Sequence, residues 1–190
     1  MKTTRLLALL ALIPMLAMAQ PAHDPSAAMA AQVDAMRVFA AMDGVWRGPA
    51  WTLAPDGGKR TITQTERIGP FLGGSVKVIE GRGYTADGKV GFNALGIVSY
   101  NPGTHAYSLR SYALGRAGDF AFTPTADGYA WEIPAGPGVA IKYVATIRDG
   151  VLREVGDRVE ADKPPLRIFE MTLKRIGDTS WPAGEAVPAN

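Results

Sequence analysis

The chain reads as an all-β protein: an antiparallel meander closed as a roughly ten-stranded barrel, preceded by one α-helix. Three observations predict this. From Val45 onward no segment of useful length keeps a helical period. Short runs rich in β-branched and aromatic residues recur there, and turn signals break them at nearly regular intervals. The connections are short, so neighbouring strands run antiparallel, and a long meander removes its exposed edges most simply by closing on itself. An open β-sandwich is the alternative that the same periodicity allows.

The first segment is of another kind. Lys2 and Arg5 give a basic start, Leu6 to Leu16 an apolar stretch broken only by Pro14, and Ala17-Met18-Ala19 a small-x-small cleavage pattern. Residues 1–19 therefore read as a secretory signal peptide, too short to span a bilayer, and the expected location is periplasmic or extracellular. The sequence contains no cysteine, which excludes a cysteine-linked lipid, thiol chemistry and disulfides. Of 20 basic residues two leave with the signal, and the remainder equal the 18 acidic ones. That neutrality, with no block of like charge, argues against nucleic-acid binding and against a polybasic membrane patch.

Residues 20–43 divide into a short polar leader and a helix that Ser26 can cap and Gly44 can end. Met29, Val33, Met36 and Ala40 fall at helical spacing with Phe39 beside them, while Gln32 and Arg37 lie off that stripe, so one face is apolar and packs on the body of the domain. The barrel occupies residues 44–177. Its strands are expected near 45–53, 59–69, 74–84, 90–100, 105–114, 118–125, 128–134, 139–148, 151–160 and 166–176, separated by turns such as Pro55-Asp56-Gly57-Gly58, Ala86-Asp87-Gly88 and Asn101-Pro102-Gly103. Residues 178–190, with Pro182, Gly184 and Pro188 and no apolar period, are expected to be a flexible tail.

Side chains alternate between the two faces of a strand, so apolar neighbours indicate which polar groups point inward. By that test Gln64 and Glu66 share a face with Ile62 and Ile68, Glu80 and Arg82 with Val76 and Val78, and Glu154 with Leu152. Arg110 and Tyr112 share a face, although Tyr107 and Leu109 on the other leave the inward choice open. Buried carboxylates cost several kcal/mol unless paired, so this set forms either an internal charge network or a polar pocket. In a pocket, Trp46, Tyr112 and Trp131 are the candidate apolar or stacking walls. The ligand-binding candidates are thus Trp46, Gln64, Glu66, Glu80, Arg82, Arg110, Tyr112, Trp131 and Glu154. A desolvated Glu with a raised pKa also suits acid–base catalysis, with an arginine holding an anion and Tyr112 donating a proton, but no spacing identifies a catalytic residue.

Five ordered segments, Gly44-Val45-Trp46-Arg47-Gly48, Gln64-Thr65-Glu66-Arg67, Glu80-Gly81-Arg82-Gly83, Ala94 to Tyr100 and Phe169 to Leu173, resemble a bacterial family of exported lipocalin-like proteins over about residues 40–176. The resemblance implies a calycin-type barrel, a fold that commonly holds small ligands, with the Gly-x-Trp strand near one end; it implies no activity. Nitrobindin-like barrels, a related group, bind haem through a histidine close to the C-terminus. This sequence departs from that pattern, because His23 and His105 are its only histidines, so haem is disfavoured and no cofactor or metal is predicted. Phenolic acid decarboxylases use a Glu, Arg and Tyr set in a similar barrel, without a spacing that matches this chain. The expected function is binding of a small molecule in the barrel. The alternatives are a barrel enzyme of the isomerase, lyase or hydrolase type, and a pocketless cell-envelope interaction protein.

Overall fold

A computed structural model describes residues 24–181; the expected signal peptide, His23 and residues 182–190 lie outside the described residues. Ten strands follow one helical segment: β1 Gly44–Leu53, β2 Lys59–Phe71, β3 Val76–Tyr84, β4 Val90–Asn101, β5 Ala106–Ala113, β6 Arg116–Thr125, β7 Gly128–Gly136, β8 Val139–Arg148, β9 Val151–Glu160 and β10 Leu166–Gly177. Each pairs antiparallel with its sequence neighbours, and β1 pairs with β10, so the sheet is a closed barrel rather than an open sandwich. Every expected strand is present, because turn chemistry set the breaks and each run between breaks is long enough to span the sheet.

The helical segment differs from its sequence reading in detail. Helix α1, Pro25–Met36, is capped by Asp24, whose side chain accepts the Ser26 backbone N–H at 2.9 Å; Ser26 is therefore inside the first turn, behind Pro25. After Met36 the chain tightens into a 3-10 turn, Arg37–Met42. In that turn residues three apart share a face, so Met36, Phe39 and Met42 are the buried set, while Ala40 and Met29 are exposed. Gln32, off the expected stripe, donates from Nε2 to the Tyr100 carbonyl at 3.1 Å.

This segment plugs one end of the barrel. The Phe39 ring meets Tyr107 edge-on and Phe122 at a tilt, each with centroids 5.1 Å away, and the Tyr107 hydroxyl donates to the Ala35 carbonyl at 3.0 Å. Trp46, Ile68, Val98, Leu109, Phe122, Leu152 and Leu173 complete the apolar core beneath the plug. Lys77, on the inward row of β3 at this end, is buried and pairs with Asp43. No helix among the described residues covers the opposite end, and none is long and apolar enough to cross a membrane.

The start of the expected tail also departs from its reading. The Thr179 hydroxyl donates to the Ile68 carbonyl, and the Trp181 ring lies 4.1 Å from the Arg67 guanidinium carbon, so these residues lie along β2.

Candidate functional site

Strand register divides the nine candidate residues into two groups on opposite sides of the sheet. Glu66 pairs with Gly81 and Ile68 with Ile79, so the inward row of β3 is Lys77, Ile79, Gly81 and Gly83. Glu80 and Arg82, expected inside beside Glu66, therefore face outward. Parity failed here because β3 is apolar on both faces and its inward row ends in glycines, which carry no hydropathy signal. Those glycines have a reason: a Cβ on Gly81 would stand 2.9 Å from Glu66 Oε1, so the carboxyl occupies the space a side chain would fill. On β5 the open choice resolves the same way. Leu109 is buried and Tyr107 holds the plug, which leaves Arg110 and Tyr112 on the outer face.

The outward group gathers on the surface. Glu80 accepts from Arg67 Nε at 3.0 Å on one oxygen and from Arg82 Nη2 at 2.7 Å on the other. Arg67, Glu80, Arg82, Leu95, Tyr112 and Trp181 border a shallow open depression of ≈ 500 Å³. Arg110 lies next to it, ion-paired with Asp119 and 5.5 Å from the Tyr112 ring centroid. A Glu, Arg and Tyr set does come together, but both carboxylate oxygens are already engaged by arginines and the site is open to water, which screens its charges.

The inward group is different. Trp46 is 1 % exposed and its indole N–H donates to the Met42 carbonyl at 2.9 Å, so it anchors the plugged end and is no pocket wall. Gln64, Glu66 and Glu154 are buried in the middle of the barrel. Gln64 Nε2 donates to Glu66 Oε1 at 2.6 Å, and Trp131 Nε1 donates to Glu154 Oε1 at 2.8 Å. Glu66 Oε2 is buried with no hydrogen-bond partner among the described residues, and neither carboxyl forms an ion pair there.

Desolvation dominates the electrostatics of this pair. It raises the Glu66 pKa to about 8 against the lowering bond from Gln64, with the charges of Glu154 and Glu80 adding to the rise. It raises Glu154 to about 7, opposed by the Trp131 bond. Burial lifts the Tyr129 hydroxyl well above its usual value, and both carboxyls add to that rise. Tyr143 is pushed up to about 12, by burial and then by Glu154. Four titratable groups from β2, β7, β8 and β9 thus share one interior, and each is held toward its neutral form near neutral pH.

Toward the unplugged end, the inward rows are aromatic. The Trp131 and Tyr143 rings stack with centroids 4.3 Å apart and 11° between planes, Phe120 tilts against Trp131 at 5.6 Å, and Phe169 meets Tyr143 at 5.9 Å. Ile62, Phe92, Ile133 and Ile141 continue the wall. All of these point inward yet are only half-buried, whereas Trp46, Ile68, Val98, Leu109, Leu152 and Leu173 in the plugged half are buried, with Ile79, Tyr100, Tyr107 and Ile147 packed against them partly buried. Solvent therefore reaches the aromatic side chains of the unplugged half more than it reaches the apolar core under the plug. Phe120, Tyr143 and Phe169 escaped sequence reasoning, although the alternation Ile141-Tyr143-Ala145-Ile147 carries the signal.

No family model and no curated protein matches the chain. Among solved structures, the crystal structure of Rv2717c from M. tuberculosis is similar, with a TM-score of 0.57 and 14% identity over 75% of this chain and 97% of that one. Identity that low shows a shared barrel fold and nothing of its use.

Proposed function

We propose that this chain is an exported, lipocalin-like barrel that binds a small, largely apolar molecule through its unplugged end. The observation that carries the proposal is the contrast between the two halves of the interior: a filled core under the plug, and beyond it a half-buried aromatic wall over a buried polar floor. Ligand sites commonly combine an apolar lining with a few convergent polar groups. Gln64, Glu66, Trp131 and Glu154 supply those groups here.

Native mass spectrometry of the protein purified from its own host tests this. A small molecule carried by the folded protein and lost on denaturation is the expected result. Bare protein, together with no response of Trp131 fluorescence to any small aromatic probe, would sink the proposal.

One observation favours a second reading. Glu154 titrates about where a general acid or base works best, and it faces the aromatic space. In an enzyme of the isomerase, lyase or hydrolase type it is the better acid–base candidate, because Glu80 and Arg82 lie across the sheet from Glu66. Turnover abolished in Glu154→Gln and retained in Glu80→Gln supports that enzyme; the reverse pattern removes it.

A further inference from the structure

We infer that the molecule taken up by the barrel carries a cationic nitrogen, an amine or amidine on an aromatic or aliphatic body. This rests on the proposed interior site and specifies the chemistry it selects. The geometry of the polar floor points to it. Two carboxyls, Glu66 and Glu154, are buried in the same apolar interior, and each receives one described hydrogen bond, from a neutral donor: the Gln64 amide and the Trp131 indole. Glu66 Oε2 accepts nothing from the described residues although it is buried and Glu66 is only 7 % exposed. A buried acceptor without a donor is costly, and more so when charged, so a donor arriving with the ligand recovers what the fold leaves unmade.

The surroundings favour positive charge and oppose negative charge. The groups facing the pair are Tyr129 and Tyr143, which are weak acids, and Lys77, whose charge is matched by Asp43 at the plugged end. Arg60, Arg116 and Arg158 lie on the inward rows of β2, β6 and β9 but at the rim, where all three are exposed and Arg158 is turned to Glu160 at 3.5 Å. No cationic side chain among the described residues therefore stands at the floor itself to receive an anionic ligand, and a carboxylate or phosphate there would oppose ionisation of the two carboxyls, whereas a cation favours it and pairs with them. A cation meets acceptors on both carboxyls, beside the aromatic wall that Trp131 and Tyr143 form.

Isothermal titration of the full chain with three probes of one shape tests this: naphthylmethylamine, naphthylmethanol and naphthoate. The amine is expected to bind at least about tenfold more tightly than the alcohol and the naphthoate most weakly, a preference that fades between pH 8 and pH 6 as the carboxyls take up protons. Glu66→Gln and Glu154→Gln should each remove most of the amine's advantage over the alcohol, while an unchanged near-ultraviolet circular dichroism spectrum reports that the variant is folded. Equal or tighter binding of the alcohol or naphthoate overturns the preference for a cation while leaving the pocket standing. Failure of all three to bind overturns the pocket along with it.

Discussion

Glu66 and Glu154 show how one residue pair couples stability to pH. In the unfolded chain both titrate near 4.5; folded, they titrate at about 8 and about 7. Below 4.5 both states hold the protons and nothing changes. Between 4.5 and 8 the folded state keeps protons that the unfolded state has released, so stability falls as pH rises, by roughly 1.4 kcal/mol per pH unit for each retained proton. Asp87 and Glu160 are shifted the other way by Lys89 and Lys163, so their contributions are already complete at the lower end of that window and constant across it. Urea midpoints should therefore drop from pH 5 to pH 8, and Glu66→Gln should both flatten the drop and raise stability at pH 8. A midpoint independent of pH, or a less stable Gln variant at pH 8, would contradict the buried neutral carboxyl. Little of this was legible in advance. The alternation of Ile62, Gln64, Glu66 and Ile68 placed Glu66 inside correctly, but the same test misplaced Glu80 because glycines on the opposite row are silent to it.

At the scale of the element, the plug and the seam carry the fold. Phe39 sits in the barrel end as a fully buried ring touching Tyr107 and Phe122, so Phe39→Ala should cost about 3–5 kcal/mol in denaturant unfolding. The helix was legible in the sequence from its formers, and its exact packing face was not, because a switch from α to 3-10 winding changes which residues align. At the seam between β1 and β10, Gly48 lies against the Thr172 carbonyl, and a methyl group there would overlap that oxygen. Gly48→Ala should therefore destabilise the protein far more than Gly57→Ala would through crowding, since a Cβ on Gly57 meets nothing within 4 Å, although its φ of +81° adds backbone strain of its own. Comparable thermal midpoints for the two variants would argue against a close backbone approach at the seam.

The whole molecule closes only when residues near the start of the barrel find those near its end: Trp51 of β1 stands opposite Glu170 of β10. Each hairpin is local, but this last pairing spans nearly the full domain, and loop-closure entropy makes it slow. Refolding is expected on the millisecond-to-second scale, about that of other barrels dominated by non-local pairing. A chain lacking β10 should expose two sticky edges and aggregate; if it stays monomeric with native near-ultraviolet circular dichroism, closure is not required. The architecture was readable because turn residues punctuate every strand, whereas the depth to which side chains fill the barrel depends on packing that no period encodes.

Because β1 begins and β10 ends at the same rim, where Val45 stands opposite Gly177, the chain enters and leaves the barrel on the plugged side. A tether to a surface, a reporter or another domain, joined to the chain just before β1 or just after β10, would therefore sit at the base of the barrel, with the aromatic mouth turned away from the point of attachment.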